Sequence, residues 1–418
     1  MTQLVSTPAN TVLMVQQGGT SQYAWVVYLP NGTILNTSGS TTDGLQEAID
    51  YAIEYGYNLH ITGLMIIPGS WPPPFNPTIN PGIGYGTINY STPIKVPAIQ
   101  GGKWRFDSLT FNYTGAAETT WTWDSTELFE LESIGCQWVG STGIGQPLML
   151  WQPTNPWPQD PYGPAIESCS FRMGAFAQTG EGVCVRLDAA NAPVNNSYFD
   201  FGELNGGGFG LVIYGGTHGV AQNIIRCPFV HSNTTEGVAV GLTTADQNSI
   251  TGNTIVVKME SPPTAVGIDI WSSNNVIDVS VIGSGGAPLI AVKLEASAAN
   301  NTITCGLLQG ATLLDDLSGA SSGNLVVGAG ARGTSVLNAA KGVIYHPDST
   351  MEQWINTAGS STAGVTTDWQ VPFRNAIFAW LAVPTNQQVA FEAVGSTSGI
   401  TITVASGTPS FSVWARGR

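Results

Sequence analysis

Charge is scarce in this chain of 418 residues, where Asp, Glu, Lys and Arg together make up only 10%. Long amphipathic helices need charged outer faces, and so few ionic residues cannot supply them, which excludes a helical bundle. Cations are scarcer still. The 13 Lys plus Arg against 28 Asp plus Glu leave a net charge of −15, which excludes nucleic acid or an anionic membrane surface as a partner because neither would be attracted. No run of about 18 apolar residues occurs, so no membrane insertion is expected. The start, Met1-Thr-Gln-Leu-Val-Ser-Thr-Pro, lacks the basic and apolar regions of a secretory signal, so export by that route is not expected. The five cysteines, Cys136, Cys169, Cys184, Cys227 and Cys305, are odd in number, far apart and without a Cys-x-x-Cys pair. They read as core filler, with no metal site, disulfide framework or cofactor expected.

What the chain does have is Gly (51 residues), Ser, Thr and Asn over a 42% hydrophobic composition, and a repeat. Asn followed by a short apolar run recurs at Asn196, Asn223, Asn253, Asn275, Asn301 and Asn324, at spacings of 22 to 30 residues. Between most of these lies a second strand-like run, led by Gly182, Gly210, Gly237 and Gly267 and continued at Ile290. Units of this length with two or three period-two strands and no helix are coils of a solenoid, and one coil cannot bury its own apolar face, so coils must stack. Asn at a recurring corner tolerates left-handed backbone and bonds to the Asn of the next coil. The second position after each Asn is large and apolar (Tyr198, Ile225, Ile255, Ile277, Ile303 and Val326), as an inward column requires. The predicted fold is all-β: a right-handed parallel β-helix.

One helix is predicted. Thr42 or Asp43 caps it, Leu45, Ala48, Ile49, Ala52 and Ile53 form an apolar stripe, and Gly56 stops it. Its expected task is to cover the open end of the solenoid. The segment from Asp43 to Gly63, Asp-Gly-Leu-Gln-Glu-Ala-Ile-Asp-Tyr-Ala-Ile-Glu-Tyr-Gly-Tyr-Asn-Leu-His-Ile-Thr-Gly, with Ile67-Pro68-Gly69 soon after, resembles the capping helix and first coil of pectin-lyase-like β-helix proteins. That superfamily includes polysaccharide lyases, glycoside hydrolases and trimeric phage tailspikes. The end of the chain, with Asp368-Trp-Gln-Val-Pro-Phe, a Ser-Thr-Ser-Gly turn and Phe411-Ser-Val-Trp-Ala-Arg-Gly, resembles the C-terminal domains of phage tail fibres. The expected organisation is N-terminal strands over 1–40, a solenoid over 41–330, a transition over 331–348 and a small β-sandwich over 349–418 that trimerises or binds a receptor.

Strand parity places the chemistry. If Val183, Val185 and Leu187 point inward, then Cys184, Arg186 and Asp188 point outward, and in later coils so do Tyr214, Asp269, Trp271, Lys293 and Glu295. With coils about 4.8 Å apart, these residues line one strip in which aromatic faces stack on sugar rings and charged groups bond hydroxyls. The expected glycan contacts are Arg186, Tyr214, Trp271 and Lys293, with Trp151, Trp157 and Tyr162 displayed on the Pro-rich insertion. Glycoside hydrolysis needs two carboxylates roughly 5 to 9.5 Å apart, and the candidates are Asp188, Asp269, Glu295 and Asp200, the last placed inward four residues after Asn196. His218 and His231 read as turn or surface residues. The Asn-Thr-Asp and Gly-His-Gly runs of the family's hydrolases are absent, as is the Asp cluster that holds Ca²⁺ in its lyases.

The resemblance implies a homotrimeric virion tailspike or fibre, associated with other tail proteins, that binds a bacterial surface glycan. The residues leave open whether it also cleaves the glycan. A secreted polysaccharide hydrolase or lyase of the same fold, and a structural fibre without activity, are the alternatives.

Overall fold

Alternating apolar residues in short strands can bury one face only by stacking on further strands, and that is how the chain is built. A computed structural model describes residues 10–18, 23–66, 86–156, 163–260, 266–282, 288–310, 312–318, 322–328, 341–345, 351–358, 365–368, 377–384, 391–404 and 410–417. Ile67-Pro68-Gly69, Trp157, Tyr162 and most of the transition over 331–348 lie outside the described residues. The chain forms two compact units, 1–234 and 235–418.

In the first unit each coil crosses three parallel sheets. The long face is built from Asn58–Ile66, Lys103–Asp107, Glu130–Ile134, Ser170–Gln178, Tyr198–Gly206 and Ile224–His231, each paired in parallel with the next. The second face runs from Ile94–Val96 through Trp121–Trp123, Pro147–Trp151 and Val183–Asp188 to Phe209–Tyr214. The third face consists of two-residue strands from Ile99–Gln100 to Val220–Ala221. This is a parallel β-helix. The N-terminal strand Thr11–Gly18 joins it, parallel to Asn58–Ile66 and antiparallel to Tyr23–Tyr28.

Helix Leu45–Glu54 packs Leu45, Ala48, Ile49 and Ala52 against the first strands of this unit. Its N-cap is Gly44, at φ 88°, a conformation that glycine adopts without strain. The Thr42 hydroxyl accepts the Gln46 N–H at 3.2 Å. Asp43, the other expected cap, instead accepts the backbone N–H of Asn89 at 2.9 Å.

The core of the first unit is aromatic. Trp104, Trp121, Trp123, Trp138 and Trp151 are all buried, interleaved with Phe106, Phe111, Phe129, Phe171, Phe176 and Phe199. Coil stacking sets one ring over the next: Trp123 and Trp151 lie 6.4 Å apart at 4°, and Phe171 and Phe199 lie 5.3 Å apart at 8°. Trp151, expected on a displayed loop, is therefore a core residue at 0% exposure. The sequence misassigned it because the strand Pro147–Trp151 runs directly into the Pro-rich segment. The indole N–H groups of Trp104, Trp121, Trp138 and Trp151 have no acceptor, a desolvation cost that ring burial must offset.

The second unit stacks Glu236–Val240, Val266–Ile270, Ile290–Leu294 and Thr312–Asp316 on one face, and Thr254–Glu260, Val276–Ile282, Thr302–Leu308 and Leu325–Gly328 on another. Its solenoid core is aliphatic, with Ile255, Ile277, Ile303, Val238, Ile268, Val292 and Leu294 at 0% exposure. Beyond it the strands become antiparallel, as a four-stranded sheet (Lys341–Tyr345, Met351–Ala358, Ser410–Gly417 and Ile377–Pro384) and a three-stranded one (Val365–Asp368, Gly399–Val404 and Phe391–Gly395). Ile400, Ile402, Phe411, Val413 and Ala415 are buried there.

The Asn corner divides its two tasks between consecutive residues. The left-handed position is taken by Asn196, Gln222, Gly252, Asn274, Asn300 and Gly323, and the residue after it forms the rung. Asn253, Asn275 and Asn301 each donate their backbone N–H to the side-chain oxygen of the next coil's Asn, at 3.0, 3.0 and 2.9 Å. In the first unit Ser197 donates to Asn223 Oδ1 at 2.9 Å, and Cys169 donates to Ser197 Oγ at 3.1 Å. The rung is thus Ser197, not Asn196, and the expected register slips by one residue in that coil. Phe199 is buried in place of Tyr198, and Asp200 points outward rather than inward. The other five expected inward residues are buried: Ile225, Ile255, Ile277 and Ile303 at 0% and Val326 at 8%. Cys227 and Cys305 are buried as expected.

Candidate functional site

Alternation along the second face puts the expected strip residues on one side of their strands, but that side is not an open surface. In the first unit Arg186 reaches Asp188 at 2.7 Å and lies 5.1 Å from the Tyr214 ring centroid. The register Asp188↔Tyr214 sets the carboxylate beside the phenol. Asp188 is only 3% exposed and also accepts the Ala190 N–H at 2.9 Å. Cys184, expected outward, is fully buried, because its thiol packs on the carbonyls of Asn205 and Gly206 at the corner.

In the second unit the same side carries a denser cluster. Asp269 pairs in register with Lys293, and Lys293 with Asp315. The Lys293 ammonium stands between two carboxylates, hydrogen-bonded to Glu295 and 3.9 Å from Asp269. The Trp271 indole donates to Asp269 Oδ2 at 3.1 Å. Asp269 is 4% exposed and Glu295 8%, while Trp271 and Lys293 are half-buried. The other carboxylate oxygen of Asp269, Oδ1, is buried without a partner. These carboxylates form a floor under a half-buried aromatic and a cation. They are not the solvent-facing column expected, because parity fixes the side of a strand but not what covers it.

The electrostatics of the cluster are unusual. Burial pushes the Asp269 carboxyl up to about 6; Glu295 adds to the rise and Lys293 opposes it. Glu236 is pushed up to about 7 by burial and then by Asp269, against Lys293. For Lys293, burial disfavours the charge, but the Glu295 hydrogen bond and the fields of Asp269, Glu295 and Asp315 outweigh it and raise the ammonium above its ordinary value. Pairs of carboxyls with protonation equilibria moved toward neutrality are the electrostatic mark of acid–base sites. Sequence reasoning missed Glu236. It stands in register with Val266 and Ile290, so parity reads it as an inward spacer; the signal available was a carboxylate immediately before the Gly237 strand.

Two other surfaces of the first unit carry polar side chains, among them Asp200. On the long face His60, Arg105, Glu132, Arg172, Asp200 and Arg226 stand in one register column. Within it the Tyr198 hydroxyl donates to Asp200 at 3.0 Å, Arg226 reaches that hydroxyl at 3.3 Å, and Arg172 lies over the Tyr198 ring. A groove of about 600 Å³ borders Tyr198, between Glu130 and Ile224. Asp200 therefore belongs to an exposed charge ladder, away from Asp188. His231, expected as a surface residue, pairs with Glu203 at 2.7 Å, and Glu203 lines a second groove of about 420 Å³ with Gln137 and Ala175. His218 is exposed.

No family model matches the sequence, and no match to a curated protein reaches significance. Three solved structures align along most of the chain. The Dettilon tailspike protein (gp208) is 10% identical, covering 93% of this chain and 92% of its own, at a TM-score of 0.26. The tailspike gp49 of Acinetobacter baumannii bacteriophage Fri1, described as a capsular polysaccharide depolymerase, is 7% identical over 96% and 88%, at 0.28. The Pseudomonas phage phi297 tailspike gp61 is 10% identical over 89% and 91%, at 0.18. All three are tailspike proteins. At such scores the fold rests on the strand pairings above and not on the likeness.

Proposed function

We propose that this chain works as a homotrimeric virion tailspike that binds a bacterial surface polysaccharide and cleaves it in the second unit. The observation that carries the proposal is the Asp269–Lys293–Glu295 cluster under Trp271. A sugar ring stacks on the Trp271 indole. Asp269, whose carboxyl holds its proton up to about pH 6, donates to the glycosidic oxygen, and Glu295, ion-paired with Lys293, takes the part of base or nucleophile. Glu236 keeps a second protonated carboxyl in reserve nearby. Arg186, Asp188 and Tyr214 serve as binding contacts in the first unit, and Trp157 and Tyr162 remain candidates for the same role. The C-terminal antiparallel sheets hold the subunits together.

Two measurements test this reading. Asp269→Asn and Glu295→Gln should each abolish release of oligosaccharides from a bound polymer while leaving its retention intact, since amides keep shape but cannot exchange the proton. Light scattering should find a trimer at micromolar concentration. Undiminished cleavage by both variants removes the site, and a monomer removes the tailspike assignment in favour of an enzyme that acts alone.

A further inference from the structure

The charges around the cluster go beyond marking a site, because they select what can lie in it. Three carboxylates, Glu236, Asp269 and Glu295, and a fourth on Asp315 act on one cation, Lys293. That cation is already engaged: Glu295 takes its hydrogen bond, Asp269 stands at 3.9 Å and Asp315 is its register partner. A substrate carboxylate would meet four carboxyl groups at low dielectric, with Lys293, the one cation among them, already paired. In the first unit Arg186 is likewise committed to Asp188 at 2.7 Å. At long range the net charge of −15 repels a polyanion as well.

Resting on the reading that this site takes a polysaccharide, we infer that the bound segment is free of acidic sugars and that cleavage is hydrolysis, not elimination. Elimination from a uronate removes a ring proton next to the sugar carboxylate, and needs a cation on that carboxylate to acidify the proton; here Lys293 is spent on Glu295 and Asp269. Hydrolysis needs none. The glycosidic carbon–oxygen bond breaks, the acid's proton goes to the leaving oxygen, the hydroxide of water goes to the anomeric carbon, and the remaining proton of water returns to the carboxylate base, so one polymer and one water give two saccharides with a new reducing end.

The test uses an immobilised panel of bacterial capsular and O-antigen polysaccharides of known composition, half containing uronic or other acidic sugars, probed with the full chain and with Trp271→Ala. Binding that Trp271→Ala weakens about tenfold or more marks this site. It should fall on polymers without acidic sugars, and the products should carry new reducing ends without the ultraviolet absorbance of unsaturated uronyl ends. Asp315→Asn, which removes one of the four carboxyl groups, should narrow the gap between neutral and acidic polymers. Trp271-dependent binding that prefers acidic polymers, or unsaturated products, overturns the inference and leaves the glycan reading standing. No Trp271-dependent binding to any member overturns both.

Discussion

The two solenoid units solve one packing problem with different residues. The first fills its coils with rings, five tryptophans and their phenylalanine neighbours stacked from coil to coil, and its corners pass from Phe129 through Cys169 and Ser197 to Asn223. The second fills its coils with Ile, Val and Leu and fixes its corners with the Asn253, Asn275, Asn301 and Asn324 ladder. An aromatic core holds its register by ring shape. An aliphatic core has less shape to specify register, and buried amides at the corner supply the direction instead. The contrast extends to charge. In the first unit Asp107 and Asp124 are held below their ordinary value: burial raises each, but hydrogen bonds from Arg105 and His60 for one, and from Asn155 and Thr154 for the other, outweigh it. In the second unit Glu236 and Asp269 are pushed upward. For Asp107 and Asp124 donors outweigh burial, whereas for Glu236 and Asp269 burial wins, the balance that acid–base sites show.

The largest effect should come from the aromatic core. Trp151→Ala should cost about 3–5 kcal/mol, whereas Ile277→Val in the aliphatic core should cost about 0.5–1.5 kcal/mol, both read from chemical denaturation. Equal costs would erase the distinction between the cores.

Next comes the corner. Asn275→Ala removes the acceptor of the Asn253 N–H and the donor that reaches Ile250 and Ser273 carbonyls at 2.9 and 2.8 Å, at about 1–3 kcal/mol for each buried group left unpaired. Ser197→Ala removes the acceptor of the Cys169 N–H and a single donor, to the Asn195 carbonyl at 2.8 Å. The first substitution should lower the melting temperature clearly more than the second; the reverse order would mean that the Asn ladder is not what fixes the aliphatic solenoid.

The ladder is also where the sequence was most and least readable. Asn275, Asn301 and Asn324 were legible as rungs because each is followed two positions on by an inward apolar residue. Asn195-Asn196-Ser197 was not, because Asn serves both the left-handed position and the rung, and only the neighbouring coil tells which. That one-residue ambiguity moved Asp200 from the core to the surface. The side of the strand that carries Asp188, Asp269, Trp271, Lys293 and Glu295 followed from parity, but their burial did not, since cover comes from residues distant in sequence. Trp151 and Glu236 were misplaced for a related reason: each stands at a strand end, where alternation gives no second neighbour to check against.

The smallest effect is on pH dependence, and it should have opposite signs in the two units. Glu236 and Asp269 have folded values of about 7 and about 6 against ordinary values of 4.5 and 3.8. The folded state therefore holds protons that the unfolded chain has lost. Their contribution is fully present below about pH 4 and is lost as pH rises through 6 to 7. Asp107 and Asp124 are lowered from 3.8, so their contribution is present above that value and lost as pH falls below it. Thermal melts should show stability rising between pH 7 and 5, and this rise should flatten in the Glu236→Gln, Asp269→Asn double variant. An unchanged slope in that variant would separate the cluster from the titration.

The most direct test of the site is a crystal structure of Asp269→Asn, with an oligosaccharide released by the parent protein bound to it. A sugar ring should stack on Trp271, with a glycosidic oxygen within hydrogen-bond reach, about 3 Å, of the side chain at 269. An oligosaccharide bound instead along the Arg105 to Arg226 column of the first unit, with the second unit empty, would contradict it.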